Sequence, residues 1–180
     1  MVAKGLAHHT VVGVHHFNSL TEAFEGVEAI AVGGGNTFQL VAQLYAEGMM
    51  DAIRGRVMDG MPFLGWSAGS NVAAPRLSTT NDMPIIEPPS FTTLGLIPVQ
   101  INPHYLDAHP DGHMGETRQE RIQEFLALNP DTPVIGLREG SMLKVDGRTM
   151  SLDGTAGARL FRSKLDPQEF DPGADLSFLL

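Results

Sequence analysis

Short apolar runs alternate with segments of helical period along most of the chain. Val11 to Val14, Ala29 to Val32, Pro62 to Trp66 and Val134 to Leu137 are strand-length, apolar on consecutive positions and bounded by Gly or Pro. Strands buried between two layers read this way because neither face meets water. Between these runs, Thr37 to Gly48, Asp51 to Met58 and Ser67 to Ala74 have helical character. Arg118 to Leu128 is a predicted helix with Ile122, Phe125 and Leu126 as its buried stripe, and Thr117 with Glu120 forms a capping box at its start. The alternation predicts an α/β fold, a doubly wound and mostly parallel sheet with helices on both faces. The last third changes character. Ser141 to Val145 and Arg148 to Leu152 flank an Asp146-Gly147 turn and predict a hairpin, and Ala158 to Arg162 predicts a further strand. Residues 166–180 are acidic and interrupted by Pro and Gly, so no element is assigned there, although Phe178-Leu179-Leu180 offers an apolar anchor. No repeat or linker divides the chain, and residues 1–180 read as a single domain. Only about ten residues precede Val11, whereas a doubly wound sheet places its first strand near the centre; either the sheet is small, or an opening β-α unit is missing.

Composition narrows the function classes. Twelve basic and 21 acidic side chains in 180 residues give a formal charge of −9, with no Lys/Arg cluster, which argues against a nucleic-acid partner. The chain has no cysteine, so disulfides, thiolate metal sites and a Cys nucleophile are excluded. There is neither a signal-peptide pattern at the start nor an apolar run long enough for a membrane helix, and the expectation is a cytoplasmic protein without membrane contact.

The sharpest chemical signal is Gly65-Trp66-Ser67-Ala68-Gly69, a G-x-S-x-G pattern placed where a strand ends and a helix begins. A serine on such a turn projects its hydroxyl from the sheet, and the glycines permit the sharp bend. A serine nucleophile needs a base. The adjacent pairs His8-His9 and His15-His16 would point to opposite faces of a strand, so neither chelates one metal. His109 and His113 have helical spacing, but Pro110 and Gly112 argue against a helix and hence against a zinc pair. His104 follows the apolar run Ile97 to Ile101 and Pro103, at the strand end where it could meet the elbow serine. Two acids could orient it, Asp82 and Glu139, and the pattern of residues leaves both open. Gly33-Gly34-Gly35-Asn36 follows a strand and opens a helix, so its N–H groups could face an anion; it does not match G-x-G-x-x-G.

Together, Val32-Gly33-Gly34-Gly35-Asn36-Thr37-Phe38, the elbow through Ser70-Asn71, Thr79-Thr80-Asn81-Asp82-Met83-Pro84, Gln100-Ile101-Asn102-Pro103-His104 and Gly115-Glu116-Thr117-Arg118 resemble the peptidase E family, the aspartyl dipeptidases of the S51 serine peptidases. The likeness runs in order from about Val11 to Arg162. It implies a fold similar to class I glutamine amidotransferases, no metal or cofactor, and hydrolysis of small dipeptides that begin with aspartate. By motif, Ser67 would be the nucleophile and His104 the general base, with Asp82 or Glu139 as the third member. Gly35 and Ala68 would supply oxyanion N–H groups, and Arg118 would grip the aspartyl carboxylate. A related expectation is a cyanophycinase-like hydrolase of β-aspartyl bonds, and a third is an inactive relative that binds aspartyl peptides. Family members begin with an opening β-α segment that this chain is expected to lack, and the sheet edge so exposed would invite either a homodimer or a rearranged sheet. Ser70 stands where the family has Ala.

Overall fold

The computed structural model describes residues 10–108 and 114–180. After a short 3-10 turn at Val14–His16, the elements are α1 (Leu20–Phe24), β1 (Ile30–Val32), α2 (Thr37–Ala46), α3 (Met49–Met58), β2 (Phe63–Gly65) and α4 (Ala68–Ala73). There follow β3 (Gln100–Pro103), α5 (Arg118–Leu128), β4 (Val134–Leu137), β5 (Ser141–Asp146), β6 (Thr149–Gly154), β7 (Ala158–Phe161), β8 (Gln168–Phe170) and a 3-10 turn at Ser177–Leu179. β1 and β2 pair in parallel; β3 and β4 also pair in parallel, and β7 and β8 extend that second sheet with antiparallel strands in the order β3-β4-β7-β8. The hairpin β5-β6 forms its own two-stranded ladder. α4 packs on β1, β2 and β3, and so bridges the two parallel pairs.

The packing follows from side-chain alternation. In β4, Ile135 and Leu137 join Ile101, Leu152 and Leu160 in a core roofed by β6 and the C-terminal turn, while Val134 joins Ile122 and Leu126 of α5 on the opposite side. A third cluster, with Val32, Val41, Ile53 and Val72 among its members, lies between β1 and helices α2 to α4. α5 therefore covers one face of the larger sheet, and the hairpin with the C-terminal turn covers the other.

Val11 to Val14 is not a strand. Val11, Val12 and Val14 are exposed and no strand pairs with them among the described residues, so apolar sequence alone had no ladder to join. His15 and His16 consequently lie side by side on a turn, ring centroids 4.1 Å apart, rather than on opposite faces of a strand. The hairpin loop is one residue later than expected: Asp146 pairs with Thr149, leaving Gly147 (φ +56°) and Arg148 as the turn. The acidic tail does acquire structure, with Leu176 and Leu179 buried in the core while Phe178 stays out. Among the described residues, no helix is long and apolar enough to cross a membrane.

Candidate active site

Ser67 is the N-cap of α4, with φ +55° and ψ −116° and no side-chain capping bond. Few L-residues adopt that backbone, and its consequence is a hydroxyl turned away from the helix it caps. The bend is possible because the chain passes itself without side chains. A Cβ on Gly65 would lie 2.4 Å from the Gly69 carbonyl oxygen, and one on Gly69 would lie 1.9 Å from the Val32 carbonyl oxygen. Backbone bonds from Trp66 N–H to Val32 O (3.2 Å) and from Gly69 N–H to Gly33 O (3.1 Å) lock the elbow to the end of β1. The Gly33-Gly34-Gly35 loop is thereby pressed against the serine: a Cβ on Gly34 would come within 3.4 Å of Ser67 Oγ. Gly35 (φ +136°) continues this loop, and Ala68 is the buried first residue of α4.

His104 follows β3 with φ +55°, and Glu139 follows β4. Parallel pairing with Pro103 opposite Leu137 brings these two strand ends level, and His104 Nδ1 hydrogen-bonds Glu139 Oε1. Both side chains are open to solvent, 52% and 77% exposed. Ser67, His104 and Glu139 line one cleft of about 1000 Å³, bounded by β2 on one side and by β5 on the other. Among the described residues Ser67 Oγ makes no hydrogen bond, so its hydroxyl is free to meet an incoming group.

Asp82 sits elsewhere. Its Oδ2 accepts from Thr37 N–H (2.7 Å), Thr37 Oγ1 (2.5 Å) and Thr80 Oγ1 (3.0 Å), which places the carboxylate at the start of α2 and not on His104. The electrostatic reason is local: a helix N-terminus offers unpaired N–H groups and partial positive charge. The segment leading to Asp82 is stitched along β3, with Thr79 Oγ1 donating to Ile101 O and Asn81 Nδ2 to Pro103 O, both at 2.7 Å.

Arg118 opens α5 behind the capping box, in which Thr117 Oγ1 accepts from Glu120 N–H (3.1 Å) and Glu120 Oε2 accepts from Thr117 N–H (2.7 Å). Its Nε is buried without a hydrogen-bond partner, and burial, reinforced by Arg121, pushes the guanidinium below its ordinary range. Arg118 is not among the residues lining the cleft that holds Ser67. His8, His9, His109 and His113 lie outside the described residues. Among the described residues no three His, Cys, Asp or Glu side chains converge as a metal site requires.

The sequence reading assigned no role to a charged network beside the His104–Glu139 pair. Arg138 Nε and Nη2 donate to Asp107 at 2.8 and 2.6 Å, Arg138 also meets Glu169 at 3.0 Å, and Glu169 pairs with Arg159 at 2.9 Å. These partners come from β7, β8 and the segments after β3 and β4, so only their opposite charges and their closeness to residues 104 and 139 hinted at the contact.

Comparison with known proteins agrees with this architecture. The family described as "Peptidase family S51" matches residues 5–152. The chain is 54% identical over 171 residues to the peptidase E of Streptomyces coelicolor, covering 94% of this chain and 70% of that one. It is 49% identical over 167 residues to the peptidase E of a Nostoc species, covering 93% and 69%. A crystal structure of a peptidase from an acI-B1 actinobacterium shares the fold with a TM-score of 0.61 at 22% identity, over 84% of this chain and 60% of that one. A match over most of the chain, at half identity to several relatives and with the elbow serine in place, leaves one assignment: the chain belongs to peptidase family S51.

Proposed function

We propose that this chain is a serine dipeptidase that hydrolyses peptides with an N-terminal aspartate through an acyl-enzyme on Ser67. The observation that carries the reading is a backbone-strained serine sharing a cleft with a histidine already oriented by a carboxylate. Glu139 engages Nδ1 of His104, which leaves Nε2 as the nitrogen that accepts a proton. As Ser67 Oγ bonds to the substrate carbonyl carbon, its proton passes to Nε2, and the carbonyl oxygen takes up the negative charge. The Gly35 and Ala68 N–H groups are the donors assigned to that oxyanion. When the C–N bond breaks, His104 returns the proton to the leaving amine, and water then repeats the sequence on the acyl-enzyme. Catalytic hydrogen bonds commonly tighten only once substrate is bound, which suits a Ser67 hydroxyl that has no hydrogen-bond partner among the described residues.

Glu139 is preferred to Asp82 as the third member because it is the carboxylate on His104; Asp82 organises the glycine loop through Thr37. Arg118 does not line the cleft, and its assignment to the substrate's aspartyl carboxylate rests on the family motif alone; its planar fork would suit a bidentate contact with a substrate that reaches it. A net charge of −9 repels anionic dipeptides at long range, but the field is screened over about 8 Å at physiological salt, so one local cation decides recognition.

The test is leucine release from Asp-Leu, Asn-Leu and Leu-Leu, with Ser67→Ala as control. The expected result is a marked preference for Asp-Leu that disappears in the Ser67→Ala variant. Equal rates on the three substrates would remove Arg118 from its role. Cleavage of β-Asp-Arg without cleavage of Asp-Leu would assign a β-aspartyl hydrolase, and failure of a serine-reactive phosphonate to label Ser67 would indicate a binding relative.

A further inference from the structure

The His104–Glu139 contact is made by two solvent-exposed side chains on two different loops. Exposed ion pairs hold their own geometry poorly, because water screens them and both side chains lose freedom. Something else must keep the loops in register, and the residues flanking the pair do so. Tyr105, next to His104, is buried and donates its N–H to Leu137 O at 2.9 Å. Arg138, next to Glu139, lays its guanidinium over the Tyr105 ring, 5.8 Å from the centroid, and takes Asp107 in a two-pronged contact. Thus each loop grips the other one residue away from the pair. Arg138 is itself held from below: Glu169 on β8 binds it and is bound in turn by Arg159, its direct cross-strand neighbour on β7. Arg138 and Arg159 are 23% and 24% exposed, while Asp107 and Glu169, at 52% and 53%, are as open as His104; the guanidiniums are the shielded half of the network.

We infer that Arg138 is a positioning residue: by clamping the loop of Glu139 to the loop of His104, it sets the carboxylate–imidazole geometry on which general-base catalysis depends. The inference rests on Glu139 being the acid of the triad. Asp107 is the other jaw of the clamp, and the pair titrates accordingly: hydrogen bonding to Arg138 holds the Asp107 carboxyl below its ordinary range, and Asp107 holds the guanidinium above its own.

The experiment measures kcat and KM on Asp-Leu for wild type, Arg138→Ala, Arg138→Lys, Asp107→Asn and Glu139→Gln, each checked for folding by circular dichroism. For Arg138→Ala the expected kcat is roughly tenfold to 100-fold lower, as a misplacement of about 1 Å costs, with KM changed less than about threefold. Arg138→Lys should recover part of the lost kcat, since an ammonium keeps the charge but not the fork. An unchanged kcat, or a lower kcat that Arg138→Lys does not partly restore, overturns the inference. If Arg138→Ala does not fold, Asp107→Asn is read by the same criteria. Wild-type behaviour of Glu139→Gln would overturn the triad assignment itself, whereas a crippled Glu139→Gln beside a normal Arg138→Ala would overturn the clamp alone.

Discussion

Replacing Ser67 by glycine should give a more stable protein than replacing it by alanine. Both variants delete the hydroxyl, and they differ only in the Cβ atom at a residue with φ +55° and ψ −116°. A non-glycine residue in such a sparsely populated region costs about 1–3 kcal/mol. Glycine adopts positive φ freely but gains about 0.5–1 kcal/mol of entropy in the unfolded chain. The difference leaves glycine ahead by about 1 kcal/mol, or about 3 °C in Tm for a chain of this size. Urea unfolding followed by circular dichroism, with thermal melts as a second probe, measures it directly. The approaches of Gly65 and Gly69 to the carbonyls they meet are the same in both variants, and what glycine gives up is the contact of the residue 67 Cβ with the Gly34 loop. If alanine at position 67 equals or exceeds glycine in stability, the elbow stores no strain, and the projection of the serine hydroxyl needs another cause.

Two further outcomes are expected. Asp82→Asn weakens charge-assisted bonds to Thr37 and Thr80 and should cost about 1.5–3 kcal/mol in urea unfolding. An unchanged stability would mean that these bonds do not hold the start of α2. Thr117→Ala breaks the capping box of α5 and should cost about 1 kcal/mol, lowering Tm by about 3 °C; an unchanged Tm would mean that tertiary packing alone holds the helix start.

What could be read before any coordinates was whatever local chemistry determines. α5 begins at Arg118 and ends at Leu128 as its capping box and apolar stripe predict, and the strand-to-helix turn at Ser67 is inherent in its flanking glycines. The family motifs carried the candidate residues into view in the right order. Non-local matters were not legible. Glu139 lies 35 residues from His104, and nothing along the chain distinguishes it from Asp82, which has equally suitable chemistry but is claimed by the start of a helix. Val11 to Val14 has strand composition, yet composition cannot supply a partner edge. In the tail, Leu179 docks as the apolar end of the chain suggests, whereas Leu176 joins the core without any local pattern that announces it.

The linkage from Asp82 through Thr37 to the glycine loop beside Ser67 has an outcome for anyone mapping this enzyme by random mutagenesis. On the reading proposed above, a colony screen scored by hydrolysis will collect dead clones at two acidic positions for unrelated causes, one because His104 loses its carboxylate partner, the other because the loop around Ser67 sags. Loss of turnover therefore cannot tell the two positions apart; a loss of folding stability confined to Asp82 can.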